Sequence, residues 1–238
     1  MIRKTVLALL LAATGVSAHA ALNAGEIAFT SFNADEDGWS MVALATISAN
    51  STIYFSDNEW SGSSFNSGEG FMTWSTGASA ITGGTVVRFS MTDQATRSVT
   101  VGNLTGAGDN GISASSETIY AYLGTNSNTP TTFLAGLSSE GTTNLTPAGL
   151  ISGSTAIVVT NSTDYAVYSG PRSGQSSFSG YASQVNNAAN WTISVGGDQG
   201  AMTPNTTAFT LAVPEPKNYA MLLAGLGLMG AIARRRSR

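Results

Sequence analysis

The side chains with most chemistry to offer are carboxylates, and they gather in three short stretches. NADEDG holds Asp35, Glu36 and Asp37, SDNEW holds Asp57, Asn58 and Glu59, and GEG holds Glu69. Two carboxyls at a suitable separation can hydrolyse a glycosidic bond, one as acid and the other as base or nucleophile. No spacing here singles out such a pair, so a secreted carbohydrate-active enzyme using loop carboxylates stands as the alternative reading. Calcium is a sharper use of the same residues. The ion takes about six to eight oxygen ligands, and Asp35, Asp37, Asp57, Asn58, Glu59 and Glu69 could supply several from neighbouring loops. DEDG lacks the alternating ligands and closing glutamate of an EF-hand loop, which excludes that motif. Against both uses stands the ordinary role of Asp and Asn in capping turns.

Aromatic residues offer sugar binding. Trp74 and Trp191 lie in strand-like runs and are expected in the core, whereas Trp39 and Trp60 lie beside acidic turns. A polysaccharide platform requires those two to face solvent together. Other chemistry is excluded by composition. There is no cysteine, and the only histidine, His19, lies in a segment expected to be removed. Thiol nucleophiles, disulfides, thiolate metal sites and the usual general base are therefore missing. Between Ala21 and Val213, three arginines (Arg88, Arg97, Arg172) stand against thirteen acids, a net charge of −10. Such a surface repels phosphate backbones, so no nucleic-acid partner is expected. Sequons begin at Asn50, Asn103, Asn144, Asn161, Asn190 and Asn205, but a chain so rich in Ser and Thr produces them by chance.

The elements that must position these residues are short strands. Runs rich in branched and aromatic residues recur at 25–32, 40–47, 51–57, 70–76, 84–91, 117–124, 154–160, 164–170, 190–196 and 206–212, with Gly, Ser, Asn and Asp between them. About ten short strands with turn signals predict an all-β fold, a single β-sandwich. One or two short helices are expected, near Pro130–Leu137 with Pro130 in the first turn and around Ser179–Ala189, where Tyr181, Val185 and Ala188 have helical spacing.

The two ends differ from this domain. Residues 1–20 carry Arg3 and Lys4, an apolar stretch and then Ala18 and Ala20 in the A-x-A pattern read by signal peptidase, which predicts a signal helix cleaved after Ala20. At the other end an apolar run spans residues 219–233, fifteen residues, followed by the arginine cluster at 234–238. As a helix the run would reach roughly 22 Å at about 1.5 Å per residue, short of the ~30 Å hydrocarbon core, though arginines can snorkel to rescue a short span. Gly225, Gly227 and Gly230 have dinucleotide-loop spacing, but no strand precedes them and no acidic residue follows. They are better read as the small residues frequent in membrane helices.

Pro214, Glu215 and Pro216, then a short glycine-rich apolar helix, then Arg234, Arg235 and Arg236, resemble the PEP-CTERM sorting signal of Gram-negative bacteria. The resemblance covers residues 213–238, with the proline motif at 213–216. It implies an exported protein with signal peptidase and exosortase as partners. It also implies transient contact with the inner membrane through a C-terminal transmembrane helix, then delivery to the cell surface or extracellular matrix. Proteins with such a tail accompany exopolysaccharide and biofilm. The first half of the chain is similar to a module of secreted bacterial proteins of the lamin-tail-like sandwich class. The shared features are G-x-I-A-F-T-x-F-N from Gly25 to Asn33, I-Y-F-S-D-N-E-W from Ile53 to Trp60, and G-E-G with its later Trp74. The chain thus divides into residues 1–20, a β-sandwich at 21–212 and the sorting signal at 213–238. The reading is a non-enzymatic adhesion or scaffold module associated with exopolysaccharide, with no required cofactor and calcium as the one ion to test.

Overall fold

A computed structural model describes residues 21–213 and 216–236. The signal segment with Ala18, His19 and Ala20, and the motif residues Pro214 and Glu215, lie outside the described residues.

Twelve strands form two six-stranded sheets. They are β1 (Ile27–Asn33), β2 (Gly38–Ala43), β3 (Thr52–Ser56), β4 (Phe71–Ser75), β5 (Val86–Ser90), β6 (Ser98–Val99), β7 (Asn103–Ala107), β8 (Thr118–Asn126), β9 (Thr129–Ser138), β10 (Ala156–Val158), β11 (Thr163–Tyr168) and β12 (Trp191–Val195). The first sheet runs β12-β11-β1-β2-β5-β6, the second β10-β9-β8-β3-β4-β7. All pairings are antiparallel except β9 with β10. The all-β sandwich expected from the sequence is the observed architecture.

The pleat decides what each sheet buries. In β3, Ile53 and Phe55 point inward while Tyr54 points out; in β4, Met72 and Trp74 are buried while Phe71 and Thr73 are only partly so. The inward residues meet Trp39 of β2 and Phe89 of β5 in a tight aromatic cluster between the sheets. Ring centroids are 5.2 Å apart for Trp39 and Phe55, 5.3 Å for Trp39 and Phe89, 5.0 Å for Phe55 and Phe89, and 5.1 Å for Trp74 and Phe89. Such pairs add about 0.5–1.5 kcal/mol each beyond the area they bury.

Two expected elements differ. The helix expected over Pro130–Leu137 is strand β9, hairpinned to β8 through Ser127 and Asn128. Thr129, Thr131 and Thr132 are β-branched, and Gly136 is a poor helix former, so the local preference is extended once β8 offers a ladder. Pro130 is tolerated because the neighbour β10 pairs only with residues 136–138, leaving the Pro130 end of β9 at an open edge. Gly136 itself is required by close approach: a Cβ there would lie 2.5 Å from Leu145 Cδ2 and 2.9 Å from Leu150 Cδ1. The strand expected over 206–212 forms no ladder beyond one bridge of Leu211 with Gln175. Arg172 takes its place as partner, donating from Nη1 to the Thr207 carbonyl at 2.8 Å and from Nη2 to that of Asn205 at 3.0 Å, with its guanidinium over the buried Phe209 ring. Strands β6 and β7 give no sequence signal because they are short, exposed and poor in branched apolar residues.

The expected helical stretch around 179–189 is present as a 3-10 turn (Phe178–Tyr181), the short helix α1 (Ala182–Val185) and a second 3-10 turn (Ala188–Asn190). In the tail, α2 runs Pro216–Arg236. Met221, Leu222, Leu223, Leu226, Leu228, Met229 and Ile232 are all exposed on it. Among the described residues, however, no helix is long and apolar enough to cross a membrane. This corrects the transmembrane assignment: the arginines extend the helix, but the apolar run stays at fifteen residues.

Candidate functional site

The acids of NADEDG build the β1–β2 turn. Asn33 Oδ1 accepts from the Asp35 and Glu36 amides, both at 3.1 Å, which closes the turn on itself. Asp35 then accepts from the Gln199 amide at 2.6 Å, Glu36 pairs with Arg88, and Asp37 accepts from the Ile112 amide at 2.5 Å. Burial pushes Asp37 up to about 6; the Ile112 N–H opposes this, and the Asp93 and Asp109 charges reinforce it.

Asp57 and Asn58 do different work from that expected of ligands. Both are buried at the end of β3 and tie the start of β4 back to it. Gly70 N donates to Asp57 Oδ1 at 3.1 Å, Asn58 Nδ2 donates to the Gly70 carbonyl at 3.0 Å, and Asn58 Oδ1 accepts from Glu69 N at 3.2 Å. Gly70 has no room for a side chain, since a Cβ would lie 2.1 Å from the Asp109 carbonyl oxygen. The thirteen-residue separation of Asp57 and Gly70 is thus closed at its base, and the segment between them becomes a loop of fixed shape. Burial raises Asp57 to about 7, and burial raises Glu117, whose Oε2 accepts from Ser113 N, to about 8. Both are only 3% exposed. Glu59 binds Asn66, and the Glu69 side chain is exposed. Asp35, Asp37, Asp57, Asn58, Glu59 and Glu69 therefore do not converge. Among the described residues, no group of three or more His, Cys, Asp or Glu is placed to hold a metal ion.

The tryptophan pair is also separated. Trp39 is 1% exposed in the inter-sheet cluster, so it offers no face to a sugar; its neighbours on β5 and β3 pull it inward where local acidity pointed outward. Trp74 and Trp191 are buried as expected. Trp60 is half-buried and folds with the loop onto the outer face of the second sheet. There it meets Phe65 at 5.0 Å and Phe133 at 5.3 Å, while its backbone N–H reaches Tyr120 Oη at 3.4 Å.

What the sequence reading missed is the company Trp60 keeps. Tyr54, Phe65, Tyr120, Tyr122 and Phe133 form a second aromatic cluster on this outer face, closed on one side by Leu145 and Leu150 of the 139–155 loop. At its edge lies an open groove of about 430 Å³ lined by Ser64, Phe65, Asn66, Ser67, Phe71, Asn128 and Thr129. Phe65 and Phe71 meet there nearly at right angles, 5.6 Å apart at 72°. Tyr122 Oη donates to the Ser127 carbonyl and Asn128 N donates to Asn126 Oδ1 at 3.1 Å, so the β8–β9 turn that carries the far wall is held from beneath. The available signal was Phe65 itself, one aromatic residue inside the otherwise polar SGSSFNSG.

Comparison with known proteins identifies the tail. Residues 212–237 match the model of the PEP-CTERM protein-sorting motif. No curated protein and no solved structure matches the chain. The match leaves the lamin-tail-like resemblance of the first half as a resemblance only. What it establishes is that this β-sandwich protein carries a PEP-CTERM sorting motif and is an exosortase-sorted extracellular protein.

Proposed function

We propose that the protein is a non-enzymatic adhesion or scaffold module of the extracellular matrix, binding exopolysaccharide through its β-sandwich. The observation that carries this reading is the pairing of a surface-sorting motif with a domain whose half-buried aromatic face is bordered by uncharged hydrogen-bonding side chains. Sugars need such a mixture, because their C–H faces pack on rings while their hydroxyls need donors and acceptors. After signal peptidase acts at Ala20, the exposed apolar side chains of α2 hold the tail at the inner membrane. Arg234, Arg235 and Arg236 set its orientation at the membrane surface. Exosortase then acts near Pro214–Pro216 and releases the domain to a biofilm matrix.

Two measurements test this. Mass spectrometry of the mature protein from its native host should find a chain beginning at Ala21 and lacking Arg238; an intact Arg238 terminus rules out sorting by cleavage. Co-sedimentation of the full chain with the host's exopolysaccharide should deplete it from solution, and an undiminished supernatant removes the adhesion reading.

A further inference from the structure

We infer that the groove between the 57–70 loop and the β8–β9 turn is a binding subsite for a neutral glycan segment, an inference that rests on the exopolysaccharide reading above. The floor and one wall are the Phe65 and Phe71 rings, set at 72°. A pyranose ring has a C–H face that packs on a phenyl ring and a rim of hydroxyls lying roughly in its own plane, so a near-perpendicular pair fits it as floor and stop. The rim then meets Ser64, Asn66 and Ser67 on one side and Asn128 and Thr129 on the other, all of which donate and accept.

Charge selects the class of glycan. None of the seven lining residues is charged, although the domain between Ala21 and Val213 carries −10. Uronate, sulfate or phosphate groups would enter a negative field with no cation lining the groove to receive them, whereas neutral hexoses meet no such opposition. The volume, about 430 Å³, lies in the ~300–1,000 Å³ range of ligand clefts and suits a short segment of a longer chain passing through an open groove.

Both walls are set before any ligand arrives, which reduces the ordering cost of binding. Asp57 and Asn58 clamp the base of the loop through Gly70. The Glu59 carboxylate accepts from Asn66 Nδ2, so that the Asn66 carbonyl oxygen is the part of the amide suited to accept from a ligand. Across the groove, the buried Tyr122 hydroxyl holds Ser127, while Thr129 Oγ1 donates to Asn128 Oδ1 at 3.1 Å, so that the Asn128 amide nitrogen is the part of that side chain suited to donate to a ligand.

Affinity electrophoresis of the full chain through gels containing dextran, a neutral mixed-linkage glucan, alginate or the host's exopolysaccharide tests the site. Retardation by at least one neutral polymer and none by alginate is expected. Asn128→Ala, an exposed turn position, should weaken that retardation by about 3–10-fold, the worth of a lost hydrogen bond, with an unchanged melting temperature. Phe65→Leu should weaken it further while keeping the loop packed, and Phe65→Tyr should restore it. Neutral-glycan binding that ignores both positions overturns the groove while leaving the adhesion reading intact. Retardation by alginate alone overturns the neutral-glycan assignment. Absence of binding to every polymer, the host's included, overturns both the site and the reading it rests on.

Discussion

The molecule has two aromatic clusters that share three strands, and they behave differently. Phe55 of β3 and Trp74 of β4 belong to the inner cluster, Tyr54 and Phe71 of the same strands to the outer one. In β8, Ile119 and Ala121 face the inter-sheet core while Tyr120 and Tyr122 face out. The inner cluster is covered by a second sheet, whose rings and aliphatic side chains leave nothing exposed. The outer one is covered by two loops, so it stays incomplete at the rim. Composition cannot distinguish the two; the kind of cover does. A sheet seals and stabilises, whereas loops seal in part and leave a graded surface able to bind.

Truncation should separate the clusters. Trp74→Ala, which empties a site that is 1% exposed, should cost about 3–5 kcal/mol in urea unfolding, against roughly half of that for Phe133→Ala on the outer face. Equal losses would mean that the loops close the outer cluster as firmly as a sheet closes the inner one.

The buried acids beneath the outer loops sharpen the comparison through pH. Folding raises Glu117 from 4.5 to about 8 and Asp57 from 3.8 to about 7. Below the unfolded values both states hold the proton and nothing is lost. As pH climbs towards the folded values the unfolded chain releases its protons first, so stability falls across roughly pH 4 to 8. Each group contributes a loss on the order of a few kcal/mol. Glu117→Gln should flatten the dependence of melting temperature on pH and raise stability at pH 8; an unaltered profile refutes a neutral, buried Glu117.

A smaller effect concerns calcium. Asp35, Asp37 and Asp57 already accept backbone amides, so EDTA should shift the melting temperature by less than about 1 °C, in line with the ±0.5 kcal/mol of surface changes. A larger drop, reversed by added calcium, would assign these loops a cation after all. Smallest of all, Ser67→Ala at the exposed rim should leave unfolding unchanged within about 0.5 kcal/mol, since it packs against neither cluster.

Nine of the twelve strands were legible as branched and aromatic runs, some such as β3 and β4 because one covered face leaves a period-two mark, others such as β1 and β2 because burial on both faces leaves a largely apolar run. β9 was hidden by Pro130, read as the first turn of a helix, and the edge position given by the short β10 is what lets a strand hold that proline. The candidate site was less legible still. Trp39 and Trp60 looked alike beside their acidic turns, yet one completes the core and the other the outer face. Phe65, Phe71, Asn128 and Thr129 lie in two segments more than fifty residues apart that meet only when β3 pairs with β8.

The tail could be identified from the order of its residues alone, because a sorting enzyme and a membrane respond to local order: prolines, an apolar run, arginines. The residue pattern expected of an export signal, the absence of cysteine and the −10 charge of the central domain are equally properties of composition and neighbouring residues. Strand alternation similarly shows that successive side chains point to opposite sides. Which side is sealed by a sheet and which by loops, and where uncharged side chains gather beside exposed rings, depends on contacts between residues far apart in the chain, and those exist only once the two sheets have closed.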